Sequence, residues 1–251
     1  MKVSIITATY NSEKTLSSCM DSVLSQNYSD IEYIIIDGAS NDGTLALIES
    51  YAIKNPNIVY YSDKDRGIYD ALNKGIELST GDIIGFVHSD DYLADNTVID
   101  QIVKAFLKFD VIGVYGDLHY VASSNVQKVI RYWRSQPFKE KLLLRGWMPA
   151  HPTLFLKKEV YKNKGSFDLN YKIAADYDFI LRVFQDKNYT FKYLPITVTK
   201  MRIGGASNKG IKNLIRKTRE DYRASRNNGL RLPLKVVLFK NFSKIQQWFK
   251  R

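Results

Sequence analysis

Four strand-like runs, Val3–Thr7, Ile31–Asp37, Ile58–Ser62 and Ile83–Val87, alternate with helical patterns around Lys14–Ser25, Thr44–Lys54 and Ile68–Ser79. Three of the runs are continuously apolar over most of their length, as strands covered on both faces are. The connections are short and often hold glycine (Gly38, Gly43, Gly67, Gly81). This βαβα order predicts an α/β fold: a mostly parallel central sheet flanked by helices. After a helix near Thr97–Lys108 the pattern changes. Val111–Tyr115, Leu118–Ser123 and Val126–Tyr132 read as hairpin strands, Ala174–Gln185 as a helix, and Thr190–Arg202 as two short strands split at Pro195. The expected organisation is a body over 1–208, with halves 1–116 and 117–208, and a helical tail over 209–251.

The net charge of +11 is unevenly placed. Residues 1–208 hold 24 Lys/Arg and 24 Asp/Glu, whereas 209–251 hold 13 Lys/Arg against Glu220 and Asp221. A neutral body with a basic tail argues against a nucleic-acid binder, whose cations would spread over the body. In the tail, Leu234, Leu238, Phe242, Ile245, Trp248 and Phe249 share one face at helical spacing, with Lys240, Lys244 and Lys250 roughly opposite. Such a helix docks its apolar side on the body or lies on an anionic membrane surface. The lone Cys19 excludes an internal disulfide and reads as a small buried hydrophobe. The chain enters its first strand at once, and no apolar run reaches membrane-spanning length, so a cytoplasmic protein without a signal peptide is expected. The oligomeric state is not set by the sequence.

If the four runs are parallel strands, their C-terminal ends share one sheet edge, where open α/β sheets bind ligands. Thr7-Ala8-Thr9-Tyr10-Asn11, Asp37-Gly38-Ala39-Ser40-Asn41-Asp42-Gly43-Thr44, Asp63-Lys64-Asp65-Arg66-Gly67 and Ser89-Asp90-Asp91 converge there. The adjacent acids Asp90 and Asp91 suit a divalent cation shared with substrate phosphates, or else a helix cap. No G-x-G-x-x-G and no G-x-x-x-x-G-K-[ST] occurs, so neither a dinucleotide dehydrogenase nor a P-loop enzyme is indicated.

These stretches resemble the inverting family 2 glycosyltransferases of bacterial polysaccharide and O-antigen assembly. The resemblance covers about residues 1–205. It is carried by Val3–Asn11, Ile36–Thr44, Ala71-Leu72-Asn73-Lys74-Gly75, Thr80-Gly81-Asp82 leading into Ser89-Asp90-Asp91, and Ala174–Arg182. It implies a GT-A fold, a nucleoside diphosphate sugar donor (a UDP-sugar), a divalent cation (Mg²⁺ or Mn²⁺), and a saccharide or lipid-linked acceptor at the cytoplasmic membrane face.

Under that resemblance Thr7, Thr9, Tyr10, Asn11, Asp37, Arg66, Asn73, Ser89 and Asp90 bind the donor. Asp37 would accept from the uracil N3–H, although it also opens a turn; Arg66 would hold phosphate, although it also suits a surface ion pair. Asp90 and Asp91 would hold the metal. His88, a further candidate ligand, stands where the family usually has an acid or amide; an imidazole can still ligate a cation but prefers softer ones than Mg²⁺. Ala8 likewise replaces a frequent proline. Asp176 would be the general base of a single inverting displacement, which needs one base and not a carboxylate pair. Trp147, His151, Asp178 and Arg202 would face the acceptor, the last on a Lys200–Ser207 loop closing over the site. Asp178, Trp147 and His151 also have structural readings. Two rival functions use the same crevice: a sugar-phosphate nucleotidyltransferase, and a nucleotide-sugar-binding relative that has lost catalysis.

Overall fold

The structure is a computed structural model that describes residues 1–204 and 211–246, with the side chains of 211 and 243–246 excepted. The strands are β1 (Val3–Thr9), β2 (Ile31–Asp37), β3 (Ile58–Ser62), β4 (Ile83–Phe86), β5 (Asp91–Leu93), β6 (Gly113–Ala122), β7 (Asn125–Trp133), β8 (Phe155–Lys157) and β9 (Phe191–Arg202). The helices are α1 (Leu16–Leu24), α2 (Thr44–Ala52), α3 (Ile68–Leu78), α4 (Val98–Lys108), α5 (Lys158–Lys164), α6 (Ala175–Phe184), α7 (Ile211–Asn227) and α8 (Pro233–Gln246). The sheet order is β3-β2-β1-β4-β8-β6-β9-β5, with β7 paired to β6. As expected, β1 is parallel to β2 and β4, and β2 to β3.

Two apolar cores lie on opposite sheet faces, because alternate side chains of a strand point to opposite sides. Val3, Ile5, Tyr33 and Ile35 pack with α1, α2 and α4. Ile6, Ala8, Ile34 and Ile36 pack with α3, α6 and parts of α7 and α8. Burial on both faces is why these strands read as unbroken apolar runs. Gly75 lets α3 sit close on β1: a Cβ there would lie 2.4 Å from Ile6 Cγ2.

Two sequence-based boundaries change. Val111–Tyr115 and Leu118–Ser123 are one strand, β6, and Thr190–Arg202 is essentially one strand, β9. The register between them jumps from Tyr115↔Tyr193 to Asp117↔Thr197, so β9 carries extra residues around Pro195. A proline has no N–H to lose from the ladder inside such a bulge. Gly116 makes the close approach possible, since a Cβ there would lie 2.8 Å from Ile196 O.

Thr80-Gly81-Asp82 acts as a staple. Glu32, only 8% exposed, accepts from Ser4 Oγ (2.6 Å), from Thr80 N (2.8 Å) and Oγ1 (2.7 Å), and from Lys2 Nζ (3.2 Å). Burial pushes this carboxyl upward, but the donors outweigh it and hold it at about 2. The resulting stability is complete above the ordinary value of 4.5 and is lost as pH falls through about 2. Glu32→Gln should therefore flatten acid denaturation between those two pH values. An unchanged acid limb would remove Glu32 from this account.

The basic C-terminal segment packs back on the body. Ala224, Leu230 and Val236 join the core beneath α6. The docking face of α8 is not the expected one. Val236, Val237 and Lys240 are buried, whereas Leu234, Leu238 and Phe242 are exposed. Lys240 is drawn inward by Asp221, at 2.6 Å, and lies 3.2 Å from the Tyr177 ring centre. The side chains of Lys244 and Ile245, and residues Trp248, Phe249 and Lys250, lie outside the description.

Candidate active site

The sheet edge brings the loops after the four parallel strands together. Thr9 pairs with Asp37, and Asp37 with Ser62, in one row across β1, β2 and β3. The loop after β1 is tied to that after β2 by Asn11 N–H to Ser40 Oγ (2.8 Å) and Asn41 N–H to Asn11 Oδ1 (2.9 Å). It is tied to the loop after β4 by Ser12 Oγ and Ser89 Oγ, 2.9 Å apart. Gly38 lies against both Asp65 and Tyr10, which adds the loop after β3. Asn11 and Ala39 hold left-handed backbone, φ 49° and 59°, conformations that for a residue such as alanine persist only where the surroundings enforce them.

Asp37 is fully buried and accepts from Ser40 N (3.0 Å), Ser40 Oγ (2.5 Å) and Ser62 Oγ (2.6 Å). These bonds close the turn that its sequence context also suggested, and they fix the carboxylate rigidly. A carboxylate offers about four lone-pair positions, and three of them are taken here. Tyr10, 60% exposed, stands on the rim as a flat surface. Arg66 is exposed and paired with Asp70 at 3.0 Å, not with Asp63 or Asp65.

Two expected donor contacts point elsewhere. Thr7 shares the inward parity of Ile5, and its hydroxyl donates to Val87 O (2.7 Å) beside Tyr33 and Cys19. Burial pushes the Cys19 thiol up to about 12, so it is inert. Asn73 uses both ends of its amide on Phe167, accepting from its N–H (3.0 Å) and donating to its carbonyl (2.9 Å). Its role in the structure is to fasten α3 to the segment before α6.

Beyond β4 the chain turns sharply, with Asp91 N–H donating to His88 O at 2.8 Å. Asp90 is half-buried, and its carboxylate has no hydrogen-bond or ion-pair partner among the described residues. Asp91 is buried; Oδ1 accepts from Arg202 N–H (3.2 Å), and Oδ2 has no partner. Burial, and then the charge of Asp90, push its carboxyl well above the usual range. Arg202 is not on a loop. It closes β9 in register with Val121, and its guanidinium donates to Asp90 O (2.7 Å) and Ser18 Oγ (2.9 Å). The strand pairings Asp91↔Met201 and Val121↔Arg202 explain the difference, because together they extend the ladder through Lys200–Arg202. Residues 205–207 of the expected loop lie outside the description.

His88, His151 and Asp176 complete the pocket. The two imidazole centres are 5.9 Å apart, and His151 also lies against Phe86 (5.1 Å) and Phe167 (5.4 Å). His88 Nδ1 and His151 Nε2 are buried without partners. Burial brings His151 down to about 4 and His88 below its usual range, against the pull of Asp176 on both and of Asp90 on His88. Both rings are therefore neutral near pH 7.

Asp176 sits in the first turn of α6 but does not cap it, for the helix start has no side-chain cap. Glu220 instead braces the segment leading into α6, accepting the N–H groups of Lys172, Ile173 and Ala174 at 2.8–3.1 Å. Asp176 Oδ1 is left to Tyr69, whose hydroxyl lies 3.2 Å away and also 2.7 Å from Ile173 O. Tyr69 and Glu220 were not evident in the sequence; Tyr69 is two residues before the Ala71–Gly75 motif, and that proximity was the available signal. Asp178 is structural in its contacts, bonded to Arg182 Nε (2.9 Å) and Asn228 Nδ2 (2.8 Å). Trp147 packs among Tyr115, Phe138 and Phe184.

Among the described residues no three His, Cys, Asp or Glu side chains converge as a metal cage. The unpaired Asp90 carboxylate and the orphaned Asp91 Oδ2 and His88 Nδ1 nevertheless fit a cation bound by one or two protein ligands and completed by phosphate oxygens.

A parallel sheet half continued by antiparallel strands, with acids collected at the strand ends, is the arrangement of the GT-A fold. The family model for glycosyl transferase family 2 matches residues 4–163, and the chain belongs to that family; it is a glycosyltransferase. A PGL/p-HBAD biosynthesis glycosyltransferase of Mycobacterium bovis is 31% identical over 214 residues, covering 82% of this chain and 78% of that protein. Among solved structures, S. aureus TarS 1–349 in complex with UDP-GlcNAc has a TM-score of 0.71 at 19% identity, covering 97% of this chain and 73% of that one. A mannosyltransferase from Pyrobaculum calidifontis, in complex with GDP-Man and Mn²⁺, has a TM-score of 0.69 at 18% identity, covering 96% and 69%.

Proposed function

We propose that this enzyme moves one sugar from a nucleoside diphosphate donor, a UDP-sugar, to a saccharide or lipid-linked saccharide acceptor with inversion. The reading places it in polysaccharide assembly at the cytoplasmic membrane face. The observation that supports it best is that His88 and His151 stand with ring centres 5.9 Å apart and with buried, unpartnered nitrogens, His88 two residues from the unpaired Asp90 carboxylate and both within the field of Asp176. Buried polar groups without partners cost about 1–3 kcal/mol each, so such a pocket favours a polar ligand over an apolar one.

Asp37 receives the base edge, Tyr10 packs against the ring or ribose, and Arg66 turns from Asp70 to the diphosphate. Asp90, with Asp91 or His88, would hold a divalent cation, which when bound neutralises charge on the diphosphate. Asp176 accepts the acceptor hydroxyl proton, and that oxygen forms its bond to the anomeric carbon as the bond to the diphosphate breaks on the opposite face. Neutral His151 and His88 offer hydrogen bonds to the sugar or phosphate without adding charge.

A panel of nucleotide sugars, with and without Mn²⁺, tests the donor assignment by thermal stabilisation. A matching donor at a hundred times its Kd should stabilise by about 2.7 kcal/mol. Cation dependence of that shift should vanish in Asp90→Asn. Absence of stabilisation by every nucleoside diphosphate sugar would remove the assignment.

A further inference from the structure

The outer face of α8 is apolar where a surface helix is normally polar. Leu234, Leu238 and Phe242 recur at a four-residue spacing and are 63%, 51% and 64% exposed. Leu232, 68% exposed, precedes them in left-handed backbone (φ 57°), and Phe239 is 45% exposed. The opposite side of the same helix is already occupied, by Val236, Val237 and Lys240 against the body. Tyr222 of α7 joins Leu232, Pro233, Leu234, Lys235 and Leu238 around an apolar groove. A contiguous exposed patch of this kind marks an interaction surface.

Cations adjoin it. Lys212, Arg216, Arg219 and Arg223 share one exposed face of α7 at helical spacing and line a second groove. The only acid lining that groove is Glu220, whose carboxylate is engaged by the amides of 172–174. Arg219 and Arg226 flank Tyr222 one turn away on either side, exposed Lys235 lines the apolar groove, and exposed Arg231 precedes its Leu232 in sequence. Pairing two copies through α8 would bring these cations against each other; an anionic lipid surface would neutralise them.

From this we infer that the outer face of α8 and the cation row of α7 together dock on an anionic lipid bilayer, with the leucines and Phe242 entering the acyl boundary and the arginines meeting headgroup phosphates. The inference deepens the lipid-linked acceptor reading and rests on it for its purpose. Glu220 and Arg223 touch the 170–174 segment leading to Asp176, so docking would bring the candidate base towards the membrane plane.

The full chain is floated with phosphatidylcholine vesicles and with vesicles containing about one third phosphatidylglycerol, at low and high salt. Binding is expected only to the anionic vesicles and should fall as salt rises. Leu234→Asn/Leu238→Asn should weaken partitioning at least tenfold, and Arg216→Gln or Arg219→Gln about fivefold each. Thermal melts matching the parent establish that the variants are folded, and unchanged transfer to a soluble acceptor separates docking from catalysis. Equal partitioning of the leucine variant, or no binding to anionic vesicles, would overturn the inference. A dimer that this variant dissociates would also overturn it, giving the face to a second copy.

Discussion

Asp176→Asn should lower sugar transfer by roughly a thousandfold, within the 10²–10⁴ range that general-base catalysis contributes, while donor affinity stays within about threefold. The amide keeps the shape of the side chain and its contact with Tyr69 but does not accept a proton at neutral pH. The side chain has no capping duty to lose, and Glu220 braces the segment leading into α6. A loss of activity is therefore separable from a loss of structure. Tyr69→Phe should cost far less, about two- to tenfold, matching one hydrogen bond of 0.5–1.5 kcal/mol. Single-turnover transfer with saturating donor measures both. Normal transfer by Asp176→Asn would move the base to another residue.

Asp221→Asn should destabilise the protein by about 3 kcal/mol, the size expected when one member of a buried ion pair is removed. Lys240 and Asp221 are 4% and 1% exposed in their side chains, and burial already holds the ammonium below its usual range against the pull of Asp221. At about 3 °C per kcal/mol for a chain of this size, Tm should fall by nearly 10 °C. Neutralising the exposed Lys104–Asp100 pair should change stability by less than about 0.5 kcal/mol. Replacing both partners, as Asp221→Leu with Lys240→Met, should recover most of the loss, since an apolar pair needs no compensation. The effect reaches the site as well, for α7 carries both Asp221 and Glu220. Loosening α8 should therefore also disturb the segment before Asp176. A melt of Asp221→Asn equal to the parent would mean that α8 does not dock as described.

Much of the crevice was legible because its signals are local. Unbroken apolar runs disclosed the doubly covered strands, and the acids at their ends followed from parallel order. Asp37 as a turn-closing residue and Cys19 as a buried hydrophobe needed only their near neighbours. Where a residue's partner is remote, local pattern misled. Thr7 and Asn73 lie in stretches shared with the family, yet they bond to Val87 and Phe167 inside the protein. Arg202 read as a loop residue because its strand exists only through pairing with β5 and β6.

The sequence alone determined the α/β order, the common edge of four strands, the absence of dinucleotide and P-loop signatures, and the family. Only the tertiary structure decided which carboxylates stay unpaired, because that depends on side chains far along the chain: Tyr69 meets Asp176 across 107 positions, and Glu220 reaches Ala174 across 46. It also decided which side of α8 is buried. Helical periodicity names the apolar face, but the surface it meets selects between an apolar stripe and a lysine with a waiting carboxylate.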